Sequence, residues 1–146
     1  MDGRLPLRVL VVDDVAEVRQ TFGRFLASEG MQPCYAADGV EALTAARASQ
    51  PDLVVCDLEM PRMNGIDLCT ALRADAATRG VPIVAVTGSG GDAAVAALAA
   101  GCDVVLPKPC SAALLVATIR DLLASTERAR AVAAATTPSR RPTSSS

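Results

Sequence analysis

The chain is 146 residues long with a formal net charge of −2, and 51% of its residues are apolar although it has one tyrosine, two phenylalanines and no tryptophan or histidine. That length suits one domain with a core large enough to need neither disulfide nor metal. Residues 1–126 sum to −5 and residues 127–146 to +3, so an acidic body with one lysine and no aromatic-basic stripe excludes nucleic acid as the expected partner.

Five strand-like runs alternate with five helix-like runs, the pattern of a parallel sheet flanked by helices. Leu7–Val12 is a continuous β-branched and leucine run, as in a strand buried on both faces. Val15–Glu29 follows, with Val18, Phe22, Phe25 and Leu26 at helical spacing and Gly30 as the stop. Gln32–Ala36 is a weaker strand placed near the sheet edge. Gly39–Ser49 is an alanine-rich helix ending before Pro51. Leu53–Cys56 is the central strand and leads into Asp57. A loop through Pro61 and Gly65 precedes a helix over Ile66–Ala74. Ile83–Val86 is the fourth strand, and Gly91–Ala100 is a helix with one charged residue, Asp92. Val104–Leu106 is the fifth strand. Ser111 can cap a last helix whose buried stripe is Leu114, Leu115, Val116, Ile119, Leu122 and Leu123.

That helix is expected to reach Ala135. Residues 127–146 form a helical extension and then a Ser/Thr/Pro/Arg tail, Thr136–Ser146, too polar to offset its ordering entropy and so expected to be disordered. Residues 1–126 make the domain, and Met1 with the tail reads as a complete chain. No run reaches the roughly 20 apolar residues of a membrane span, and the first apolar run is cut off by Asp13 too early for a signal peptide. The five cysteines, Cys34, Cys56, Cys69, Cys102 and Cys110, form no C-x-x-C pair, which suits a reducing, cytoplasmic location. Cys34 and Cys56 lie within apolar runs and read as small core residues.

Polar groups recur where the strands end. Asp13-Asp14, Asp57, Thr87 and Lys108 each follow an apolar run, and the carboxyl ends of parallel strands share one edge, where ligands bind. Three carboxylates together fit a hard divalent cation with oxygen ligands, Mg²⁺ first among them because it binds few carboxylates plus a phosphate. An Asp pair alone would read as a helix cap. Asp57 emerges from Leu-Val-Val-Cys, and a carboxylate can attack phosphorus to give an acyl phosphate. Lys108, the sole lysine, lies between two prolines and could neutralise the transferring phosphoryl, whose charge is spread over three oxygens. The Thr87 hydroxyl can donate to a phosphoryl oxygen, and Gly88, Gly90 and Gly91 let the backbone come close.

These motifs resemble the receiver domain of bacterial response regulators, over roughly Arg8 to Ala124. The matching stretches are Val11-Val12-Asp13-Asp14, Asp57-Leu58-Glu59-Met60-Pro61 through Asn64-Gly65, Val86-Thr87-Gly88 and Pro107-Lys108-Pro109. The resemblance implies a flavodoxin-like, doubly wound α/β fold with a five-stranded parallel sheet of order 2-1-3-4-5. It implies Asp57 as phosphoacceptor and Mg²⁺ on Asp14, Asp57 and the backbone carbonyl of Glu59, with Asp13 acting through water. It further implies Thr87 and Lys108 on the phosphoryl and a cis bond between Lys108 and Pro109.

Two departures stand out. The family's switch pairs the threonine with an aromatic residue on strand five, but here Val105 fills that place and Cys110 follows the Lys-Pro pair. A valine has no buried and exposed alternatives of comparable size, so Thr87 and Val105 form an altered switch region. The second is Glu59, whose side chain either lies near the phosphoryl or points to solvent.

The leading expectation is a single-domain response regulator, not an enzyme beyond its own phosphorylation and dephosphorylation. A sensor histidine kinase would supply the phosphoryl, and the output would be a protein bound at helix four, strand five and helix five. A relay or phosphate sink exchanging with a histidine phosphotransfer protein is the alternative. A phosphatase of the haloacid dehalogenase type is remote, because no chain is left for a cap domain. No membrane or nucleic-acid partner is expected.

Overall fold

The computed structural model describes residues 5–136. Five parallel strands are β1 (Arg8–Val12), β2 (Gln32–Ala36), β3 (Leu53–Asp57), β4 (Ile83–Thr87) and β5 (Val104–Pro107), in the order β2-β1-β3-β4-β5. Between and after them run α1 (Ala16–Ser28), α2 (Gly39–Ser49), α3 (Gly65–Ala74), α4 (Gly91–Ala100) and α5 (Ala112–Thr136). This is the flavodoxin-like, doubly wound α/β fold expected from the sequence, with β2 at the edge. The strand order reverses between β1 and β3, which opens a crevice at their carboxyl ends.

Alternation along the strands divides the core into two layers. Leu10, Val12, Val54, Cys56, Ile83 and Ala85 pack with Ala42, Ala46, Leu68, Cys69, Leu72 and Ala97 of α2, α3 and α4. Val9, Val11, Leu53, Val55, Val84 and Val86 pack with Leu26, Leu115, Val116 and Ile119 of α1 and α5. Because both faces are covered, β3 and β4 are buried at every residue. The polar residues that close them have one way to meet water, over the carboxyl edge.

Helix ends follow local chemistry. Asp38 caps α2 by accepting from the Glu41 amide at 2.9 Å, while Glu41 accepts from the Ala37 amide at 2.9 Å, a relative of the capping box. Asn64 caps α3 by accepting from the Asp67 amide at 2.9 Å, which draws Gly65 into the helix one residue earlier than expected. Ser111 Oγ accepts from the Leu114 amide at 3.0 Å, as expected. Gly30 and Gly101 end α1 and α4 at φ of 85° and 116°, the left-handed region that glycine enters without steric cost. Thr136 belongs to α5 rather than to the tail, because the alanine-rich run carries the helix through it; the remainder of the expected tail lies outside the described residues. Cys34 is half-buried rather than a full core residue, since β2 is an edge strand.

Gly65 is required by a close approach. A Cβ there would lie 2.6 Å from the Asp57 carbonyl oxygen and 2.8 Å from Leu58 Cα. Both are backbone atoms at the end of β3, so neither can yield without moving Asp57. Gly65→Ala is expected to lower stability by about 1–3 kcal/mol, the usual cost of overpacking, read as a lower urea midpoint at unchanged slope. An unchanged midpoint would mean that α3 can back away from β3.

Candidate functional site at the carboxyl edge of the sheet

The backbone holds most of the site before any side chain is considered. Just past their strands, the Asp13 amide donates to Ala36 O at 3.2 Å, Leu58 to Val86 O at 3.0 Å and Lys108 to Thr87 O at 2.8 Å. The register sets Asp57 beside Val86 and Thr87 beside Pro107. The Lys108–Pro109 bond is cis, as expected.

Asp13, Asp14 and Asp57 offer one carboxylate oxygen each within 4.8 Å of one another. Asp13 and Asp57 are buried, 6% and 4% exposed, whereas Asp14 is exposed. Asp13 accepts from the Val15 amide at 2.9 Å in the turn that leads into α1, and α1 itself begins without a side-chain cap. Burial pushes the Asp13 carboxyl above its ordinary range, with the Asp57 charge adding to the shift against the Val15 hydrogen bond. Burial raises Asp57 as well, outweighing its hydrogen bonds from Lys108 and the Glu59 amide. Two buried acids whose anionic forms burial disfavours make, with Asp14 beside them, a donor set suited to a divalent cation.

Lys108 Nζ donates to Asp57 Oδ1 at 3.0 Å and lies 3.7 Å from Glu59 Oε1. Burial works against the Lys108 charge, but the hydrogen bond to Asp57 and the surrounding carboxylates raise its pKa overall. The ion pair is therefore lopsided. The half-exposed lysine gains from it, while the buried carboxylate does not recover its desolvation.

Glu59 turns back into the site rather than out to solvent. Its carboxylate accepts from Thr87 Oγ1 at 2.6 Å, the Gly88 amide at 3.0 Å and Ser89 Oγ at 3.3 Å. Burial opposes its ionisation, yet the bonds from Thr87 and Gly88 and the charge of Lys108 together hold it below the usual carboxylate range. The threonine, the glycine amide and the lysine thus converge on one anionic group, whose Oε1 lies 3.7 Å from the same Lys108 Nζ that donates to Asp57. Ser89, whose amide also donates to Thr87 Oγ1 at 3.0 Å, was not among the residues singled out from sequence. Its one signal was a hydroxyl inside a glycine loop.

Val105 is half-buried on β5 and packs against the α2–α3–α4 core layer. On α4, Val95 and Leu98 are 67% and 50% exposed, which leaves this helix, with Asp92 as its one charged residue, a weakly polar outer face. A cavity of about 640 Å³ opens next to Asp57 and Lys108, lined also by Val18, Phe22, Pro109 and Cys110. No described helix is long and apolar enough to cross a membrane.

Comparison with known proteins agrees with this geometry. Residues 9–120 match the family model of the response regulator receiver domain. The DNA-binding response regulator MtrA of Mycolicibacterium paratuberculosis is 44% identical over 114 residues, covering 77% of this chain and 49% of that protein. The chain therefore spans about half the length of the curated relatives it matches. Among solved structures, the chemotaxis protein CheY4 of Vibrio cholerae is 30% identical with a TM-score of 0.75, covering 80% of this chain and 98% of that one. The receiver domain of a signal transduction histidine kinase from Syntrophus aciditrophicus is 29% identical with a TM-score of 0.76, covering 83% of this chain and 92% of that one. With its strand order, its acidic cluster and this match over most of its length, the chain belongs to the response regulator receiver domain family, a phosphorylation-dependent signalling module rather than a classical enzyme.

Proposed function

We propose that Asp57 accepts a phosphoryl group from the phosphohistidine of a sensor histidine kinase, and that the resulting acyl phosphate changes which protein the α4–β5–α5 face binds. One observation carries this reading. Thr87, Gly88 and Lys108 already bind an anion, the Glu59 carboxylate, next to a buried acid at the end of a central strand.

The Asp57 carboxylate attacks phosphorus, the bond to the donor nitrogen breaks, and the group's charge falls among donors fixed in advance. Lys108 neutralises one phosphoryl oxygen and Thr87 with Gly88 donates to another. Asp13, Asp14, Asp57 and the backbone carbonyl of Glu59 would hold Mg²⁺, which offsets the remaining negative charge. Residues 1–126 carry this chemistry in our reading, residues 127–146 extend it, and the setting is the cytoplasm. Val105 cannot exchange a large buried group for an exposed one, so Thr87 passes the change on through the Gly88–Gly91 segment and α4.

Intact mass after incubation with acetyl phosphate tests the reading. A gain of one phosphoryl that requires Mg²⁺ is expected; no gain from acetyl phosphate or from a phosphorylated kinase would refute it.

The metal has its own signature. Asp13 and Asp57 have raised pKa values, so their repulsion and burial cost is fully present above the folded-state values. Mg²⁺ is therefore expected to raise the melting temperature at pH 7 by several degrees at a hundredfold excess over its Kd, about 2.7 kcal/mol by mass action. The shift should shrink as pH falls toward the ordinary aspartate value of 3.8 and protons displace the cation. Melting with Mg²⁺ against ionic-strength-matched NaCl checks this. Equal shifts in the two salts would refute metal binding at this cluster.

A further inference from the structure

Three cysteines from three elements meet within one core layer: Cys56 on β3, Cys69 on α3 and Cys102 in the turn between α4 and β5. They are 0%, 0% and 6% exposed. The Cys69 and Cys102 sulfurs lie 2.6 Å apart, about half an ångström beyond a disulfide bond, and Cys56 belongs to the same packed layer. Ordinary core packing accounts for a buried cysteine as a small apolar residue. It does not account for two sulfurs approaching each other this closely, since alanine or valine would fill the same space.

The turn that carries Cys102 is also held in place. Arg73, one helical turn beyond Cys69, donates through Nε and Nη2 to Gly101 O at 3.0 and 2.8 Å and through Nη2 to Asp103 Oδ2 at 3.0 Å. The guanidinium thus clamps both residues that flank Cys102 to the helix that carries Cys69. Such a clamp keeps the two sulfurs in register, because neither can drift without breaking charge-assisted hydrogen bonds.

We propose that Cys69 and Cys102 are a redox pair that forms a reversible intrachain disulfide with peroxide as oxidant. The Cys102 sulfur, the more exposed of the two, attacks a peroxide oxygen; the O–O bond breaks and the first water leaves. The Cys69 sulfur then attacks the resulting sulfenic sulfur. The S–O bond breaks, the thiol proton leaves with the oxygen as a second water, and the S–S bond forms. Two sulfurs together lose two electrons and the peroxide gains two. Hydrogen bonds from Cys56 and Cys69 hold the Cys102 thiol below the usual thiol range, with Arg73 adding to the shift, which favours Cys102 as the attacking thiolate. In a reducing compartment the bond is transient and is returned to two thiols by a small dithiol.

The ring so closed runs from Cys69 to Cys102 and contains β4, the Thr87–Gly91 segment and α4. Oxidation therefore ties that whole segment to α3, whatever the state of Asp57.

The test treats the full chain with hydrogen peroxide, blocks remaining thiols under denaturing conditions and measures intact mass, followed by peptide mapping without reductant. Expected are a monomer that carries three blocking groups instead of five and is otherwise two hydrogens lighter, a Cys69–Cys102 link, and all five cysteines blocked when dithiothreitol precedes the blocking step. Cys69→Ala or Cys102→Ala should lose the link, while Cys34→Ala and Cys110→Ala keep it. Because a core substitution can prevent folding, the wild-type linkage map stands as evidence by itself. No two-hydrogen loss, a link through Cys34 or Cys110, or oxygen addition alone would overturn the proposal.

Discussion

Asp57→Asn is expected to take up no phosphoryl group at any Mg²⁺ concentration, and yet to be more stable than the wild type when metal is absent. The first half follows from chemistry, because an amide is a poor nucleophile toward phosphorus and cannot form the acyl phosphate. The second follows from burial. Asp57 is 4% exposed and burial outweighs its bond to Lys108, raising its pKa above 3.8. An acid raised in the folded state binds more protons folded than unfolded. Stability is then lost as pH rises from the ordinary value through the raised one, and the full cost persists above it.

Removing this charge should flatten that decline between acid and neutral pH. Some slope must remain, since Asp13 is raised in the same direction. Glu59 acts oppositely: its lowered pKa contributes stability at neutral pH that is lost as pH falls through its folded value. Loss of the Lys108 partner costs less, because the lysine is half-exposed and stays 3.7 Å from Glu59. Urea unfolding of both proteins in EDTA across pH 3–8, beside acetyl phosphate labelling, measures both halves. Labelling that survives would move the acceptor to another acid, and a less stable variant would mean that the Lys108 bond outweighs burial.

Glu59→Ala is expected to speed phosphoryl uptake about tenfold. The side chain occupies Thr87 Oγ1 and the Gly88 amide, the donors that the incoming group needs. It must leave them, and it repels an anion while it stays. A like charge about 4 Å away costs roughly 1–4 kcal/mol between bulk water and an effective dielectric near 20, and the 40% exposure of the side chain favours the lower end. Glu59→Gln separates the two contributions, since it keeps acceptor capacity without the charge and should fall between wild type and alanine. Rate constants with acetyl phosphate at saturating Mg²⁺ decide the matter. Equal rates in all three proteins would mean that Glu59 swings clear at no cost.

The strands and helices were readable because both sheet faces are covered, so β1, β3 and β4 appear as unbroken apolar runs ending in Asp13, Asp57 and Thr87. Once those ends share an edge, the acidic cluster follows from topology. Glu59 was ambiguous for a physical reason. Its position two residues past the strand is on the edge, but its direction depends on Thr87 and Gly88, some 30 residues away, which no local pattern encodes. Ser89 and the Cys69–Cys102 approach were invisible for the same reason, since hydroxyls in glycine loops and cysteines in apolar helices are ordinary locally. The Asn64 cap escapes the sequence reading as well, because Gly65, the first residue of α3, reads there as loop.

Two kinds of bond hold the two halves of the site. Asp13, Leu58 and Lys108 are tied to neighbouring strands by main-chain amides and carbonyls, which nothing at the metal or phosphoryl position can outcompete. Gly88 and Ser89 instead give their amides to the Glu59 carboxylate and the Thr87 hydroxyl, oxygens that an incoming phosphoryl would rearrange. The opening free energy of the sheet edge should therefore be almost indifferent to the state of Asp57, while that of residues 88–91 should track it. Amide hydrogen exchange would then divide this rim into a frame with constant protection and one short segment whose protection is a direct readout of occupancy.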